Sequence, residues 1–71
     1  MTGIVKYFND EKGYGFIIYD KVKDDIFVHY TSIKGDSYKT LVKDEIVDFD
    51  LANTKNGLRA KNVVPKKTII E

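Results

Sequence analysis

The 71-residue chain contains no cysteine, no tryptophan, one histidine and one proline. Without cysteine, disulfides and thiolate metal sites are excluded, and one histidine cannot build a histidine-rich metal centre. No apolar run approaches the roughly 20 residues of a bilayer-spanning helix, and the first residues lack a signal-peptide pattern. We therefore expect a soluble, cytoplasmic protein with no cofactor, no membrane partner and no small-molecule substrate.

The most abundant apolar and β-branched residue types favour strands over helices. Val, Ile and Thr together number 20, against 6 for Leu, Ala and Met, and β-branched side chains fit strands better than helices. A chain of this length has room for one small core. We expect a single domain over residues 1–66, followed by a frayed C-terminal tail over residues 67–71.

Hydrophobic alternation and turn formers divide the chain into five short strands. Asn56-Gly57 is typical of a hairpin turn before the last strand, and Pro65 ends that strand. Residues 31–44 form a long connection without strand-like alternation. This pattern predicts a small, closed or nearly closed antiparallel barrel. The predicted strands cover residues 3–8, 14–19, 26–30, 45–51 and 58–64.

Alternation places different side chains on the two faces of the second and third predicted strands. The inward face is aliphatic and suits a barrel core. The outward face is aromatic, and because no amphipathic helix is available to cover it, we expect an exposed binding surface. The inward residues are Ile17, Ile26 and Val28, joined by Val5 and Val47 from other strands, and the outward residues are Tyr14, Phe16, Phe27 and His29.

The outward rings admit two interpretations. As ordinary cross-strand pairs they would only stabilise the sheet, by a few tenths to about 1 kcal/mol per pair. Basic side chains around them favour the second interpretation, because a single-stranded nucleic acid needs π-faces for its bases and cations for its phosphates. These are Lys6 and Lys12 on one flank and Lys39, beyond the loop aromatic Tyr38, on the other.

Several short motifs lie in an order and at a spacing that a known family shares. The first is Lys6-Tyr7-Phe8-Asn9, followed by residues 12–17, residues 26–30 and the loop of residues 35–41. These resemble, in turn, the Lys-Trp-Phe-Asn segment, the two ribonucleoprotein-type motifs and the aromatic-Lys-Thr loop of the bacterial cold shock domain family. The resemblance implies an all-β fold, a five-stranded antiparallel Greek-key barrel of the OB type.

The resemblance also implies a function. Members of this family bind single-stranded RNA and DNA with little sequence specificity and a mild pyrimidine preference, and they act as RNA chaperones and regulators of transcription and translation in cold adaptation. Rings would stack on bases, lysines would contact phosphates, and polar groups would contact base edges. The implied stacking residues are Tyr7, Phe16, Phe27, His29, Tyr30 and Tyr38, with Tyr14 at the edge; the phosphate contacts are Lys6, Lys12 and Lys39; the polar contacts are Asn9 and Asp25.

Three further assignments leave an alternative open. Asp25 is equally compatible with a turn acid beside Asp24. Phe8 fits the binding face or a partly buried supporting position. Arg59 lies in a basic segment without acids, where a nucleic-acid contact and a solvated charge are equally supported.

Tyr7 stands where the family usually has tryptophan. Its smaller ring predicts weaker affinity with a retained binding mode. Strict alternation, however, puts Tyr7 on the opposite face from Lys6 and Phe8. A β-bulge near the end of the first strand is needed to turn Tyr7 outward, and bulges are common at barrel rims.

The residues argue against an enzyme and a metal site and leave one other function class open. His29 is the only candidate general base and has no nucleophile beside it, so we expect no enzyme. Asp24 and Asp25 are adjacent and point to opposite faces, which argues against a metal site. The remaining alternative is a protein-interaction module that docks a peptide on the aromatic patch. Short edge strands and mixed surface charge predict a monomer.

Overall fold

The computed structural model describes residues 1–34 and 40–66, which form five β-strands and one short turn of 3₁₀ helix. Tyr38 and Lys39, assigned to the site from the sequence, and the tail of residues 67–71 lie outside the described residues. The elements are β1 (Thr2–Asn9), β2 (Tyr14–Ile18), β3 (Ile26–His29), the 3₁₀ turn (Tyr30–Ser32), β4 (Ile46–Thr54) and β5 (Gly57–Pro65).

The strands close into a barrel in the order β1-β2-β3-β5-β4, with β4 returning to β1. The predicted all-β barrel is confirmed. Four strand pairs are antiparallel, whereas β3 and β5 pair in parallel, with Phe27 opposite Arg59. Strand direction cannot alternate all the way around a ring with an odd number of members, so a five-stranded closed barrel requires a parallel pair.

Only the starts of β2 and β3 coincide with the prediction; the other strand ends differ by one residue, except the end of β4, which lies three residues further on. Tyr19 lies just past β2, where its carbonyl oxygen accepts a hydrogen bond from the Val22 N–H at 3.1 Å. Tyr30 belongs to the 3₁₀ turn and not to β3, because the His29 side chain accepts from the Thr31 N–H and caps that turn. β4 extends to Thr54 because its ladder with β5 continues as far as the Gly57 turn.

The core lies inside the barrel and matches the inward pattern of the strands. All five residues predicted to be core are completely buried. The β4–β5 hairpin and the long connection complete it, so the interior draws on every strand. The core residues are Val5, Ile17, Ile26, Val28, Ile33, Leu41, Val47, Phe49, Ala60 and Val63.

β1 contains the bulge that the position of Tyr7 requires. Val5 pairs with Ile17, but the next pair joins Tyr7 to Phe16, so β1 holds one extra residue, Lys6. Lys6 and Tyr7 are both exposed as a result, and the predicted bulge is confirmed. Gly15 is buried against the bulged segment: a Cβ at this position would lie 2.7 Å from Phe8 Cα.

Two features are absent from residues 1–34 and 40–66. No helix there is long and apolar enough to cross a bilayer. Within the same residues, no three His, Cys, Asp or Glu side chains come together in a way that could hold a metal ion.

Candidate nucleic-acid interface

Six rings form a continuous surface on the outside of β1, β2, β3 and the 3₁₀ turn, which we call the aromatic platform. At its centre, Phe16 and Phe27 face each other across β2 and β3 with ring centroids 5.9 Å apart. Each ring contacts at least one neighbour at 4.7–6.4 Å. The members of the platform are Tyr7, Tyr14, Phe16, Phe27, His29 and Tyr30.

Strand register accounts for the four central rings. Phe16 pairs with Phe27 and Tyr14 pairs with His29 in the β2–β3 ladder. Directly paired side chains on one face of a sheet lie side by side, so the register of the β2–β3 ladder alone determines which rings become neighbours. The centroids of Tyr14 and Phe27 are 5.9 Å apart, so a diagonal contact across the ladder connects the two pairs.

The two outer rings reach the platform by special backbone geometry. The β1 bulge turns Tyr7 outward, 5.8 Å from the Phe16 centroid. Tyr30 lies over Gly13, whose φ of 77° and lack of a side chain allow the ring to approach; the Tyr30 N–H also donates to the Gly13 carbonyl at 2.9 Å. Tyr7 and Tyr30 are 40% and 47% exposed, so the ends of the platform are its most accessible parts.

The histidine ring is held in one orientation. Nδ1 of His29 accepts from the Thr31 N–H at 3.3 Å and lies 2.9 Å from the Thr31 hydroxyl. Because Nδ1 accepts, the proton of the neutral ring resides on Nε2. His29 therefore offers both a π-face and an N–H donor at the platform surface.

The Tyr7 phenol stays neutral at physiological pH. Partial desolvation against the neighbouring rings raises the pKa of Tyr7 above its ordinary value, and the nearby Tyr14 phenol raises this pKa further. A neutral phenol places no negative charge beside an incoming phosphate.

Lys6 and Asp25 meet at the edge of the platform. Lys6 Nζ lies 2.8 Å from Asp25 Oδ2, and both side chains are largely exposed. An exposed pair of this kind contributes little to stability, so either group can exchange its partner for a ligand. Asp25 lies in the segment between β2 and β3, and both interpretations of this residue fit that position.

Asn9, Lys12 and Phe8 lie at the β1–β2 turn. Asn9 Oδ1 accepts from the Lys12 N–H at 2.9 Å, and the Asn9 carbonyl accepts from the Gly13 N–H at 2.7 Å. Asn9 thus holds the turn that presents Lys12, which is exposed. Phe8 is half-buried and packs against the core, as the supporting interpretation requires.

Arg59 adds a cation that the motifs alone did not assign. Its guanidinium carbon lies 5.3 Å from the centroid of the Phe27 ring, a cation–π geometry. The parallel pairing of β5 with β3 places it there. The structure therefore brings Arg59 to the platform, although the sequence left its role open.

A cavity of about 450 Å³ opens beside the platform, between Phe16, Phe27 and the β4–β5 hairpin. Sequence reasoning missed the hairpin side of it. The one relevant signal in the sequence was Asn56-Gly57, which predicts the β4–β5 turn but does not predict that this turn lies beside Phe16 and Phe27. The hairpin residues that line the cavity are Thr54, Asn56, Leu58 and Arg59.

The chain is similar in sequence to known proteins. Residues 1–66 match the family model described as the 'cold-shock' DNA-binding domain. The cold shock-like protein CspG of Shewanella violacea is 51% identical over 63 residues, 89% of this chain and 90% of that protein. The cold shock protein CspD of Bacillus subtilis is 48% identical over 63 residues, 89% of this chain and 94% of that protein.

One solved structure, described as drosophila Unr CSD456, shares the fold. It superposes with a TM-score of 0.74 at 18% sequence identity and covers 93% of this chain. The chain spans only 26% of the length of that structure, and a likeness at this identity concerns the fold alone.

Proposed function

The chain belongs to the cold-shock domain family, and on that premise we propose that it binds single-stranded RNA and single-stranded DNA by stacking bases on the aromatic platform. The observation that carries the proposal is the unbroken contact of six rings on one outer face. A base stacked on an aromatic side chain contributes about 1–3 kcal/mol, whatever the base. Binding therefore has little sequence specificity.

Each side chain around the rings has a proposed role. Lys6, Lys12 and Arg59 neutralise phosphates, and Asn9 and Asp25 contact base edges. Tyr38 and Lys39 are proposed to extend the stacking and phosphate contacts. The paired bases of a duplex keep their faces covered, so the platform selects single strands. Pyrimidine runs are mildly preferred because their bases stack weakly on one another, so a flexible pyrimidine strand loses little stacking energy when it binds.

The proposed cellular role is that of an RNA chaperone, which acts as a cytoplasmic monomer without catalysis. A duplex step is worth about 1.4 kcal/mol on average, comparable with one base stacked on the platform. Several stacked bases hold a weak hairpin open as it breathes, with no need for ATP. Transcripts kept unpaired in this way are the proposed basis for regulating transcription and translation in the cold.

A fluorescence anisotropy titration with labelled oligothymidine of about 6–10 nucleotides tests the proposal, since this span suits one OB fold. We expect micromolar or tighter binding that a matched duplex does not compete. With about 3–4 phosphate contacts, log K should fall with log[salt] at a slope of roughly −2 to −3. Equal competition by the duplex would overturn the preference for single strands, and affinity that salt leaves unchanged would overturn the phosphate contacts and favour peptide docking on the same face.

Replacing Arg59 by glutamine should weaken binding several-fold and make the salt slope shallower by about 0.7, the share of one phosphate on a single strand. The same titration over a salt series measures both quantities. Lys61→Gln is the matched control, because it removes the same charge from β5 at a position that pairs with Asp50 on β4, away from the cavity. Identical behaviour of the two variants would mean that only net charge matters.

Replacing Tyr7 by tryptophan should strengthen oligothymidine binding by about three- to tenfold, because the indole offers a larger stacking surface at an exposed end of the platform. Tyr7→Phe separates ring size from the hydroxyl group and should show no gain. The affinity ratio of the two variants is the measurement. A tryptophan variant that binds no better than the wild type argues against stacking at this position.

A further inference from the structure

The cavity beside the platform combines apolar walls with a polar edge. Phe16 and Phe27 both line it, and their ring planes meet at 71°, so the two rings form a corner. Leu58, which is half-buried and packs against the core, adds a third apolar wall. The volume of about 450 Å³ is typical of pockets for small planar ligands, which use a few polar groups to fix orientation.

Arg59 is the cavity residue best placed to recognise the edge of such a ligand. The Thr54 hydroxyl is already engaged, since it donates to the Gly57 carbonyl at 2.8 Å and accepts from the Asn56 N–H at 3.2 Å. Arg59 is half-buried, yet no carboxylate within residues 1–34 and 40–66 forms an ion pair with it. Its guanidinium lies over the Phe27 ring, and this contact uses the guanidinium face and leaves the in-plane N–H groups able to donate.

We propose that this cavity binds one guanine base of the bound strand, with two guanidinium N–H groups of Arg59 donating to O6 and N7 of the base; the inference rests on the proposed function. A bidentate arginine contact to O6 and N7 is the commonest base-specific contact of arginine with guanine. Adenine has a donor beside its N7, and the Hoogsteen edge of thymine offers a single acceptor. Cytosine has the adjacent acceptors O2 and N3, but its single ring fills less of the cavity.

A phosphate matches the inside of the cavity less well than a base does. Phe16, Phe27 and Leu58 have no side-chain donors, so a phosphate placed among them would exchange its water for one guanidinium alone. On oligothymidine, which lacks the O6 and N7 pair, Arg59 contacts a phosphate at the rim of the cavity. The protein therefore tolerates any base along most of the strand and selects guanine at one position.

The test uses a set of oligothymidine probes of about 7 nucleotides, each with guanine at a different position. Guanine at one position should strengthen binding by about five- to tenfold over plain oligothymidine, and guanine elsewhere should give no gain. At the selected position, 7-deazaguanine, which lacks the N7 acceptor, should remove the gain, whereas hypoxanthine, which keeps O6 and N7, should retain it. Equal affinity for all probes, or a larger gain with cytosine at that position, would overturn the inference.

Arg59→Lys tests the role of the guanidinium, because lysine keeps the charge but cannot donate two parallel hydrogen bonds from a rigid plane. The measured quantity is the ratio of the affinities for the guanine probe and for plain oligothymidine, so a change in phosphate binding cancels. The guanine gain should disappear in this variant. Lys61→Arg is the control, since it exchanges the same two residue types on β5 outside the cavity, and it should keep the gain. A gain that survives Arg59→Lys would overturn the inference.

Failure of the proposed function gives a different result, since plain oligothymidine would then remain unbound as well. In that event, NMR spectra with guanosine 5′-monophosphate at millimolar concentration decide the question. Shifts of the Arg59 side-chain N–H and the Leu58 methyl groups that cytidine 5′-monophosphate does not produce would support the guanine site. Unchanged signals from both groups, or equal shifts with the two nucleotides, would overturn it.

Discussion

Replacing Phe27 by leucine is expected to weaken oligothymidine binding by about 5- to 100-fold. Phe27 is the centre of the platform: its ring contacts Phe16, Tyr14 and His29 and lies under the Arg59 guanidinium. Removing the ring removes one stacking surface, worth about 1–3 kcal/mol, at roughly 1.4 kcal/mol per tenfold change in affinity. Anisotropy titration at a fixed salt concentration measures the loss.

Leucine is chosen because it keeps apolar volume without a π-face. Phe27 points outward and is half-buried, so the barrel core is not opened and the melting temperature should change by only a few degrees. Tyr19→Leu is the matched control. Tyr19 is a half-buried aromatic outside the platform, 5.6 Å from the Phe49 centroid, and its loss should leave binding intact. If the Phe27 variant bound with wild-type affinity, the role of the rings would be to pack against one another on the sheet and not to stack on bases.

Replacing Gly15 by alanine is expected to lower the melting temperature by at least about 12 °C. The new Cβ would lie 2.7 Å from Phe8 Cα and 2.8 Å from Phe8 Cδ1, and it would also press on the Tyr7 carbonyl. Backbone atoms of a paired strand cannot withdraw without breaking the β1–β2 ladder, so the loss should reach or exceed the usual upper value of about 3 kcal/mol for overpacking. In a domain of this size, each kcal/mol corresponds to about 4–8 °C.

Gly57→Ala separates crowding from backbone strain in the same thermal unfolding experiment. Gly57 has a φ of 118° but no atom near its missing Cβ, so only the conformational penalty of about 1 kcal/mol applies. Gly15 has no positive φ, and its penalty is steric. Equal losses at the two positions would mean that the bulged segment of β1 moves aside freely.

Local patterns accounted for most of the fold and for the centre of the site. Alternation placed Ile17 and Val28 inside and Phe16 and Phe27 outside, and all four assignments agree with the observed burial. The bulge in β1 followed from a conflict between alternation and the expected role of Tyr7. In each case the signal lies within a few residues of the position that it determines.

The features that sequence reasoning missed depend on contacts between distant segments. The cavity wall of Thr54, Asn56 and Leu58 exists because β5 pairs in parallel with β3, and no local pattern encodes that pairing. The same pairing decides where Arg59 lies. Tyr30 lies outside the predicted strand for a different reason: the neighbouring His29 side chain caps the 3₁₀ turn. Such side-chain capping competes with strand formation, and hydrophobic alternation does not reveal it.

The closure of the barrel also determines when a newly synthesised chain becomes able to bind RNA. Every ring of the platform is encoded before residue 31, yet the surface beneath it is completed by Val47, Phe49, Ala60 and Val63. During synthesis at about 5–20 residues per second, the ring-bearing segment leaves the ribosome seconds before β5 exists to pair with β3. We therefore expect a nascent chain to hold no transcript until its last strand has emerged.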